Sequence, residues 1–408
     1  MSGSKNPLPT IDFFSGAGGM SYGFHSHHDF EIVAAIDAEL TKPSAKNQSS
    51  NCNQTYAKNC KIAPESIVLN NENILQIGER FLKNQSFSGV LLACPPCTDF
   101  TRAKPENHLV DGVRNELTTA IASLIFKIRP KYFVFENARE ALQGNHALHL
   151  ETILHVLEGS GYSYKVEVLD FNDFGLPQRR ERVILLASRD RQMLSLRDLW
   201  EGYAMKSPST VGHALNTLSN LSADLPGVLD ARFPNLSEEV LLRTKAIPKN
   251  GGSWIDIANS HKALLIPSML TKITTGRLGS YKDVYGRMAL DRPAPTIKRE
   301  CSHVGNGRYT HPFEDRLFTV GEMAFLQGFP LQFKFEGRQL ANCYRQIGDA
   351  VPPLISYQIA SLISWIETGK RPLPSNFCLK NSALTSSQIA AKVIASEAKD
   401  HLALEIAS

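Results

Sequence analysis

Short runs of β-branched and aromatic residues alternate with helix-length stretches from residue 10 to about residue 188. The runs are Thr10–Phe14, Glu31–Ile36, Ser66–Leu69, Gly89–Ala93, Tyr132–Phe135, Tyr164–Leu169 and Arg182–Ala187. Strands separated by helices must cross over and run parallel, and a parallel sheet is covered on both faces, so its strands read as nearly continuous apolar segments. Glu116–Ile128 (ELTTAIASLIFKI) is the clearest amphipathic helix, and it stops before Arg129-Pro130 as a proline requires. The alternation predicts an α/β fold with a doubly wound, Rossmann-like sheet.

Beyond residue 188 the alternation fades into turn-forming stretches such as IPKNGGSW and ITTGRLGSYKD. Residues 189–288 are therefore expected to form a second, smaller, loop-rich domain inserted between the first part of the sheet domain, 1–188, and its returning part, 289–370. Pro352-Pro353 followed by LISYQIASLISWIETG predicts a helix opened by proline. Residues 371–408 are expected to be a helical tail, Ala-rich from Ser382 onward. With 408 residues, 42% hydrophobic and 21% charged, the chain has the composition of a globular protein and not of a disordered or fibrous one.

The seven cysteines are scattered and odd in number, which argues for a reducing compartment and against a disulfide framework. No basic flank followed by an apolar stretch marks a signal peptide, and no apolar run approaches the roughly 18 residues of a membrane span. The expected location is the cytoplasm. Formal charge is only +4, but its distribution is uneven. Between Val240 and Leu290 stand Arg243, Lys245, Lys249, Lys262, Lys272, Arg277, Lys282 and Arg287, against Asp256 and Asp283 alone. Interleaved with Trp254, Tyr281 and Tyr285, these residues suit a surface that faces a polyanion. A solvated face with ordinary Lys/Arg scatter accounts for the segment equally well if it is taken alone.

Four motifs carry chemistry. Asp12-Phe13-Phe14-Ser15-Gly16-Ala17-Gly18-Gly19 closes the first strand with a G-x-G-G turn, where backbone can approach a ligand, and Asp37 ends the second strand, where a carboxylate can take ribose hydroxyls. The spacing is not the G-x-G-x-x-G of dinucleotide folds, and a plain tight turn explains it as well as a cofactor loop. Cys94-Pro95-Pro96-Cys97 follows the fourth run. It fits a redox pair, half of a zinc site, or a single nucleophile at Cys97; the zinc reading lacks a second pair at matching spacing. Phe133-Val134-Phe135-Glu136-Asn137 ends a buried strand in a carboxylate, and Gln178-Arg179-Arg180-Glu181-Arg182 sets two arginines at alternate positions, on one side of an extended segment.

Taken in order, F-x-G-x-G-G (Phe14, Gly16, Gly18, Gly19), P-P-C (Pro95-Pro96-Cys97), E-N (Glu136-Asn137), Q-x-R-x-R (Gln178, Arg180, Arg182), R-P-x-x-T-I (Arg292 to Ile297) and G-x-x-V-P-P (Gly348 to Pro353) resemble the cytosine-5 DNA methyltransferase family of the bacterial restriction–modification type. The resemblance spans about residues 10 to 365 with a gap at 189–288, the place of that family's variable target-recognition domain. It implies S-adenosylmethionine as cofactor, with Phe14 against adenine, Gly16, Gly18 and Gly19 at close approach, Asp37 on the ribose, Asn73 and Ile74 framing the adenine, and Pro96, Asp349 and Val351 completing the site. It implies Cys97 as the nucleophile that adds to C6 of cytosine, Glu136 in its protonated form as donor to N3, Asn137 as positioner of the loop, and Arg182 and Arg180 as the cations around them.

Gln178, Arg292, Thr296, Lys249, Lys272 and Arg277 would then meet the substrate, double-stranded DNA, from which the target cytosine must be extruded. The loop from Cys97 to Asn115, with Gly112, would close over that base. The same resemblance implies a monomer at the bacterial nucleoid, with any cognate restriction endonuclease acting separately. Three positions depart from the family pattern: Thr98 for Gln, Ala138 for Val, and Asp349 for Asn, the last adding a charge that could face the cofactor's ammonium. A tRNA cytosine-5 methyltransferase, a silent DNA-binding fold and a Cys94/Cys97 oxidoreductase are the competing readings.

Overall fold

A computed structural model describes residues 6–40, 49–95, 116–142 and 145–392. Strands β1 (Leu8–Phe13), β2 (Phe30–Ile36), β3 (Val90–Ala93), β4 (Tyr132–Ala138), β5 (Ser163–Asp170) and β6 (Glu181–Ser188) form one sheet in the order β2-β1-β3-β4-β6-β5. β1 pairs parallel with β2 and β3, and β3 parallel with β4. The expectation of an all-parallel sheet fails at one strand: β6 runs antiparallel to both β4 and β5. Its cause lies in the connection. Only residues 171–180 join β5 to β6, with a single 3₁₀ turn at Phe171–Phe174, too little chain for a helical crossover.

Ser66–Leu69 is the one expected strand that does not form. Ile67 and Leu69 do face the core while Val68 is left 60% exposed, but the chain meets β2 there through a single bridge, Ile36 to Glu65, and no ladder forms.

Alternation along the strands divides the core in two. Leu91, Phe133, Phe135, Val183 and Leu185 point to one face, against α3 (Asn73–Glu79), α4 (Glu116–Ile128) and α5 (Asn145–Gly159). Ile121, Leu124, Ile125 and Ile128 of α4 are completely buried there, each contributing roughly 1.5–3 kcal/mol by transfer from water. Val90, Leu92, Val134, Ile184 and Leu186 point to the other face.

On that second face lies α1 (Gly19–His25), crossed by α12 (Pro353–Thr368) of the returning part. The approach is so close that a Cβ on Gly19 would stand 2.2 Å from the carbonyl oxygen of Val351. The first and last thirds of the chain thereby make one domain, with α2 (Cys52–Cys60) beside α1.

Between them run α6 (Leu196–Leu199), β7 (Tyr203–Met205), α7 (Val211–Asp224), α8 (Glu238–Ala246) and α9 (Pro267–Thr275). The insert is loop-rich as expected, but residue 189 is not where it separates. α6 packs on α12, and α7 packs on α10 (Val320–Leu326), which precedes α11 (Leu340–Asp349). One continuous apolar core holds Leu196, Val211, Trp254 and Met269 together with Phe325 and Leu354.

The expected helical tail is corrected as well. Over its described residues, 371–392, it consists of 3₁₀ turns at Pro374–Asn376 and Ser386–Gln388 and a strand, β8 (Ile389–Ala391), paired antiparallel with β7. Backbone pairing to β7 overrides the helix propensity of Ala390 and Ala391.

Candidate active site

Three strand ends meet at the carboxyl edge of the sheet. Phe13 of β1 is in register with Ala93 of β3, and Ala93 with Phe135 of β4. The glycine turn after β1, the Cys94-Pro95 segment after β3 and Glu136-Asn137 of β4 therefore lie side by side, on the edge where open α/β sheets bind ligands. The antiparallel β6 adds a fourth group. Arg182 is opposite Ala138 in the ladder, and Glu136, two residues before Ala138, shares its face, which makes Arg182 and Glu136 diagonal neighbours.

Arg182 Nε is 3.1 Å from Glu136 Oε1, with 16% and 10% of the two side chains exposed. The contact is one of charge: Oε1 has no aligned hydrogen bond among the described residues and can engage a further group. Asn137 supplies the link to the segment that carries the expected nucleophile. Its Oδ1 accepts from Ala138 N–H at 2.8 Å while its Nδ2 donates to the carbonyl of Pro95 at 3.5 Å, two residues before Cys97. Pro96, Cys97, Thr98 and the loop through Asn115 lie outside the described residues, and so does its expected closure.

The turn after β1 is shaped for a ligand at one glycine in particular. Gly16 has φ +52° and open space where a Cβ would stand, whereas Gly18 and Gly19 are small because Tyr56 and Val351 press on them. The Gly16 N–H donates to Asp37 Oδ2 at 2.9 Å, and Asp37 Oδ1 accepts from Glu39 N–H at 2.7 Å. Phe14, half-buried at φ +66°, begins the same turn.

Glu39, which the sequence reading passed over, accepts from Ser49 Oγ at 3.0 Å and Asn53 N–H at 2.9 Å. It thereby caps α2, whose own N-cap, Asn51, makes no side-chain capping bond and instead accepts from Arg338 N–H and Asn342 Nδ2. Beneath the turn Tyr56 donates to Ser21 Oγ at 2.7 Å and Ser21 to Asp12 Oδ2 at 2.5 Å. Asp12 Oδ1 is buried with no hydrogen-bond partner among the described residues. Burial raises this carboxyl to about 7, with Ser21 opposing the shift and Asp37 adding to it.

Other expected site residues serve the framework. Gln178 is fully buried; its Nε2 donates to Gln327 Oε1 at 2.6 Å and its Oε1 accepts from Ile297 N–H at 2.8 Å, so both ends of its amide are committed within the protein. Arg180 does not join Arg182 at one ligand. Its guanidinium donates to the carbonyls of Ile297, Gly348 and Ala350 at 3.3, 3.5 and 3.1 Å, tying the returning part to the sheet.

Ile74 is completely buried in the core, and Asn73 bonds Asn70 and the carbonyl of Val68 at the start of α3. Asp349 pairs with Arg299 at 2.7 Å, a partner that competes with the expected ammonium, and Val351 packs beneath Gly19. Lys249 is paired with Asp315, which also takes the buried Arg287.

Arg292 is exposed beside Asp291, and Thr296 Oγ1 donates to the carbonyl of Arg179 at 2.7 Å. Lys272, Arg277 and Thr296 do come together, lining one cavity of about 540 Å³ with Lys298 and Tyr281. Lys298, which directly follows the R-P-x-x-T-I motif, was passed over, and Arg287, counted toward the basic surface, is instead fully buried, which no local pattern signals.

A family model for C-5 cytosine-specific DNA methylases matches residues 8–365. The type II methylase M.HgiDII of Herpetosiphon aurantiacus is 29% identical over 362 residues, covering 86% of this chain and 94% of that protein. The type II methyltransferase M1.HphI of Haemophilus parahaemolyticus is 27% identical over 365 residues, 89% of this chain and 88% of that one. Among solved structures, the Dnmt2 methyltransferase of S. pombe superposes with a TM-score of 0.55 at 18% identity, over 88% of this chain and 99% of that one, which extends the likeness to the fold. With its glycine turn, Glu136–Arg182 pair and Pro95 segment on one sheet edge, the chain belongs to the C-5 cytosine-specific DNA methylase family.

Proposed function

We propose that this chain, as a DNA (cytosine-5)-methyltransferase, methylates C5 of a cytosine extruded from duplex DNA, through a transient bond between Cys97 Sγ and C6. The observation that carries the reading is the Glu136–Arg182 pair, 3.1 Å apart, beside a Pro95 carbonyl that Asn137 tethers at 3.5 Å.

C5 of cytosine is too weak a nucleophile to take a methyl group unaided. Addition of a thiolate at C6 moves electron density toward N3 and C5, and a proton donated to N3 stabilises that charge. Glu136 is placed to hold that proton, and Arg182 to fix the carboxyl's orientation. Methyl transfer to C5 is followed by loss of the C5 proton to a base, expulsion of Cys97 as the thiolate and return of the N3 proton to Glu136, which restores the aromatic ring and the starting enzyme. Extrusion of the base costs a few kcal/mol, offset by contacts to the duplex.

S-adenosylmethionine would supply an electrophilic methyl group on a sulfonium. The donor set fits it: open space at the positive-φ Gly16 admits a ligand against backbone, Asp37 can accept from ribose hydroxyls, and the ring of Phe14 begins the same turn. Asn73 and Pro96 would flank the adenine and methyl ends. Lys272 and Arg277, which form no ion pair among the described residues, and the exposed Arg292 suit a polyanion. Kinship with two type II methylases supports a place as the modification partner of a separately acting restriction endonuclease.

The test is transfer of labelled methyl groups from S-adenosylmethionine to duplex DNA and, in parallel, to tRNA, with nucleoside analysis. Label in 5-methylcytosine of the duplex is expected. Label confined to tRNA, or to another base, would overturn the reading.

A further inference from the structure

The cavity that gathers Lys272, Arg277 and Thr296 has one wall fixed and one wall unsatisfied. On the fixed wall Arg308 reaches Asp283 Oδ1 from Nε at 3.2 Å and from Nη2 at 3.1 Å, and donates to the carbonyls of Gly251 and Arg287 at 2.6 and 3.0 Å. Tyr281 is held just as firmly. Its hydroxyl bonds Ser268 Oγ at 2.5 Å, its carbonyl accepts from the indole of the buried Trp254 at 2.9 Å, and Lys272 Nζ lies 5.8 Å from its ring centroid.

Asp283, the acid of this lining, is thus neutralised by Arg308, while Arg277 and Lys298 form no ion pair or side-chain hydrogen bond among the described residues. Arg277 follows Gly276, the C-cap of α9 at φ +66°, where nothing lies within 4 Å of a Cβ position. That loop can approach a large ligand closely. The cavity also adjoins the chemistry: Thr296 is bonded to the carbonyl of Arg179, three residues, or about 10 Å of extended chain, before the Arg182 that holds Glu136.

We propose that Arg277 is a specificity-determining residue that reads a guanine in the DNA target. The proposal rests on duplex DNA being the substrate. A phosphate contact needs only a cation, whereas reading a base edge needs a side chain that reaches into the major groove, and Arg277 stands exposed on the open turn that ends α9. Guanine offers O6 and N7 there, two acceptors that a planar guanidinium meets with two parallel donors. Lys272, drawn over Tyr281, and Lys298 are point charges and serve the flanking phosphates.

The experiment is methylation of duplexes carrying a fixed cytosine with randomised neighbours, read at base resolution at several salt concentrations, by the unaltered chain, Arg277→Ala, Arg277→Lys and Lys272→Ala. The unaltered chain should favour guanine at one or more randomised positions. Arg277→Ala should lower the discrimination at one of them by about 5- to 150-fold and leave preferences elsewhere unchanged, and Arg277→Lys should restore it only in part. Lys272→Ala should slow all sequences alike and reduce the salt slope by about 1. The proposal is overturned if no randomised position favours guanine, or if Arg277→Ala slows every sequence equally. If the unaltered chain methylates no cytosine in any duplex, the reading of the function fails, and this inference with it.

Discussion

Replacing either member of the Glu136–Arg182 pair should separate folding from chemistry. The side chains are 10% and 16% exposed, so removing Arg182 leaves a carboxylate largely cut off from water. Breaking one side of a fully buried pair costs about 3–5 kcal/mol; residual exposure places Arg182→Ala at the lower end, about 2–3 kcal/mol. Glu136→Gln keeps the volume and strands no anion, while Arg182 retains its bond to the carbonyl of Glu181 at 2.7 Å, so the loss should be about 1 kcal/mol.

The order reverses for activity. Glu136→Gln removes the proton donor to N3 and should lower kcat by about 10²- to 10⁴-fold, with the KM for DNA little changed. Urea unfolding of both single variants and the double variant, alongside single-turnover methyl transfer, measures each quantity. Because the groups touch, their effects should be non-additive by more than about 0.5 kcal/mol. A Glu136→Gln enzyme with unaltered kcat, or strictly additive losses, would refute the roles assigned to the pair.

Two glycines of one turn should fail in different ways. Gly19→Ala drives a Cβ to 2.2 Å from the Val351 carbonyl and should unfold the junction of α1 and α12, seen as a lower Tm, whereas Gly16→Ala, with space but φ +52°, should cost about 1 kcal/mol and chiefly weaken S-adenosylmethionine binding in a titration. Asp12 binds its proton more tightly folded, at about 7 against 3.8, so its contribution to stability is complete below about pH 4 and is lost as pH rises through 7. Asp12→Asn should flatten that part of the denaturation profile, and an unchanged slope would contradict the assignment. Arg287, fully buried and donating to the carbonyls of Thr244, Ile247, His311 and Glu314, should lose about 3–5 kcal/mol on change to Met, read by urea unfolding. Gln178→Ala should destabilise the fold without altering the methylated sequence.

The elements that could be read from sequence are those whose pattern is local. β1, β3, β4 and α4 follow from apolar runs and from the Arg129-Pro130 stop, and the register of β1, β3 and β4 then brings the glycine turn, the Pro95 segment and Glu136 together without further assumption. What escaped notice depends on partners distant in sequence. Gln178 and Arg180 look like ligand-binding residues in a basic motif, yet their acceptors are Gln327, Ile297, Gly348 and Ala350, more than a hundred residues away. Lys249 and Arg287 count toward a basic surface, yet both are taken by Asp315. Charge counting could mark the basic segment but could not separate its committed cations from those that form no ion pair among the described residues. β8 was missed because its partner, β7, lies far upstream and Ala-rich sequence favours helix when nothing pairs with it.

The most direct test of the mechanism is trapping of the covalent intermediate. With fluorine in place of the C5 hydrogen there is no proton for the base to take and elimination is blocked, so incubation with S-adenosylmethionine and duplex DNA containing 5-fluorocytosine should leave an adduct that survives denaturing electrophoresis. Peptide mapping should place it on Cys97, Cys94→Ser should still form it, and Cys97→Ser should not. An adduct on Cys94, or one that persists in Cys97→Ser, would contradict the account.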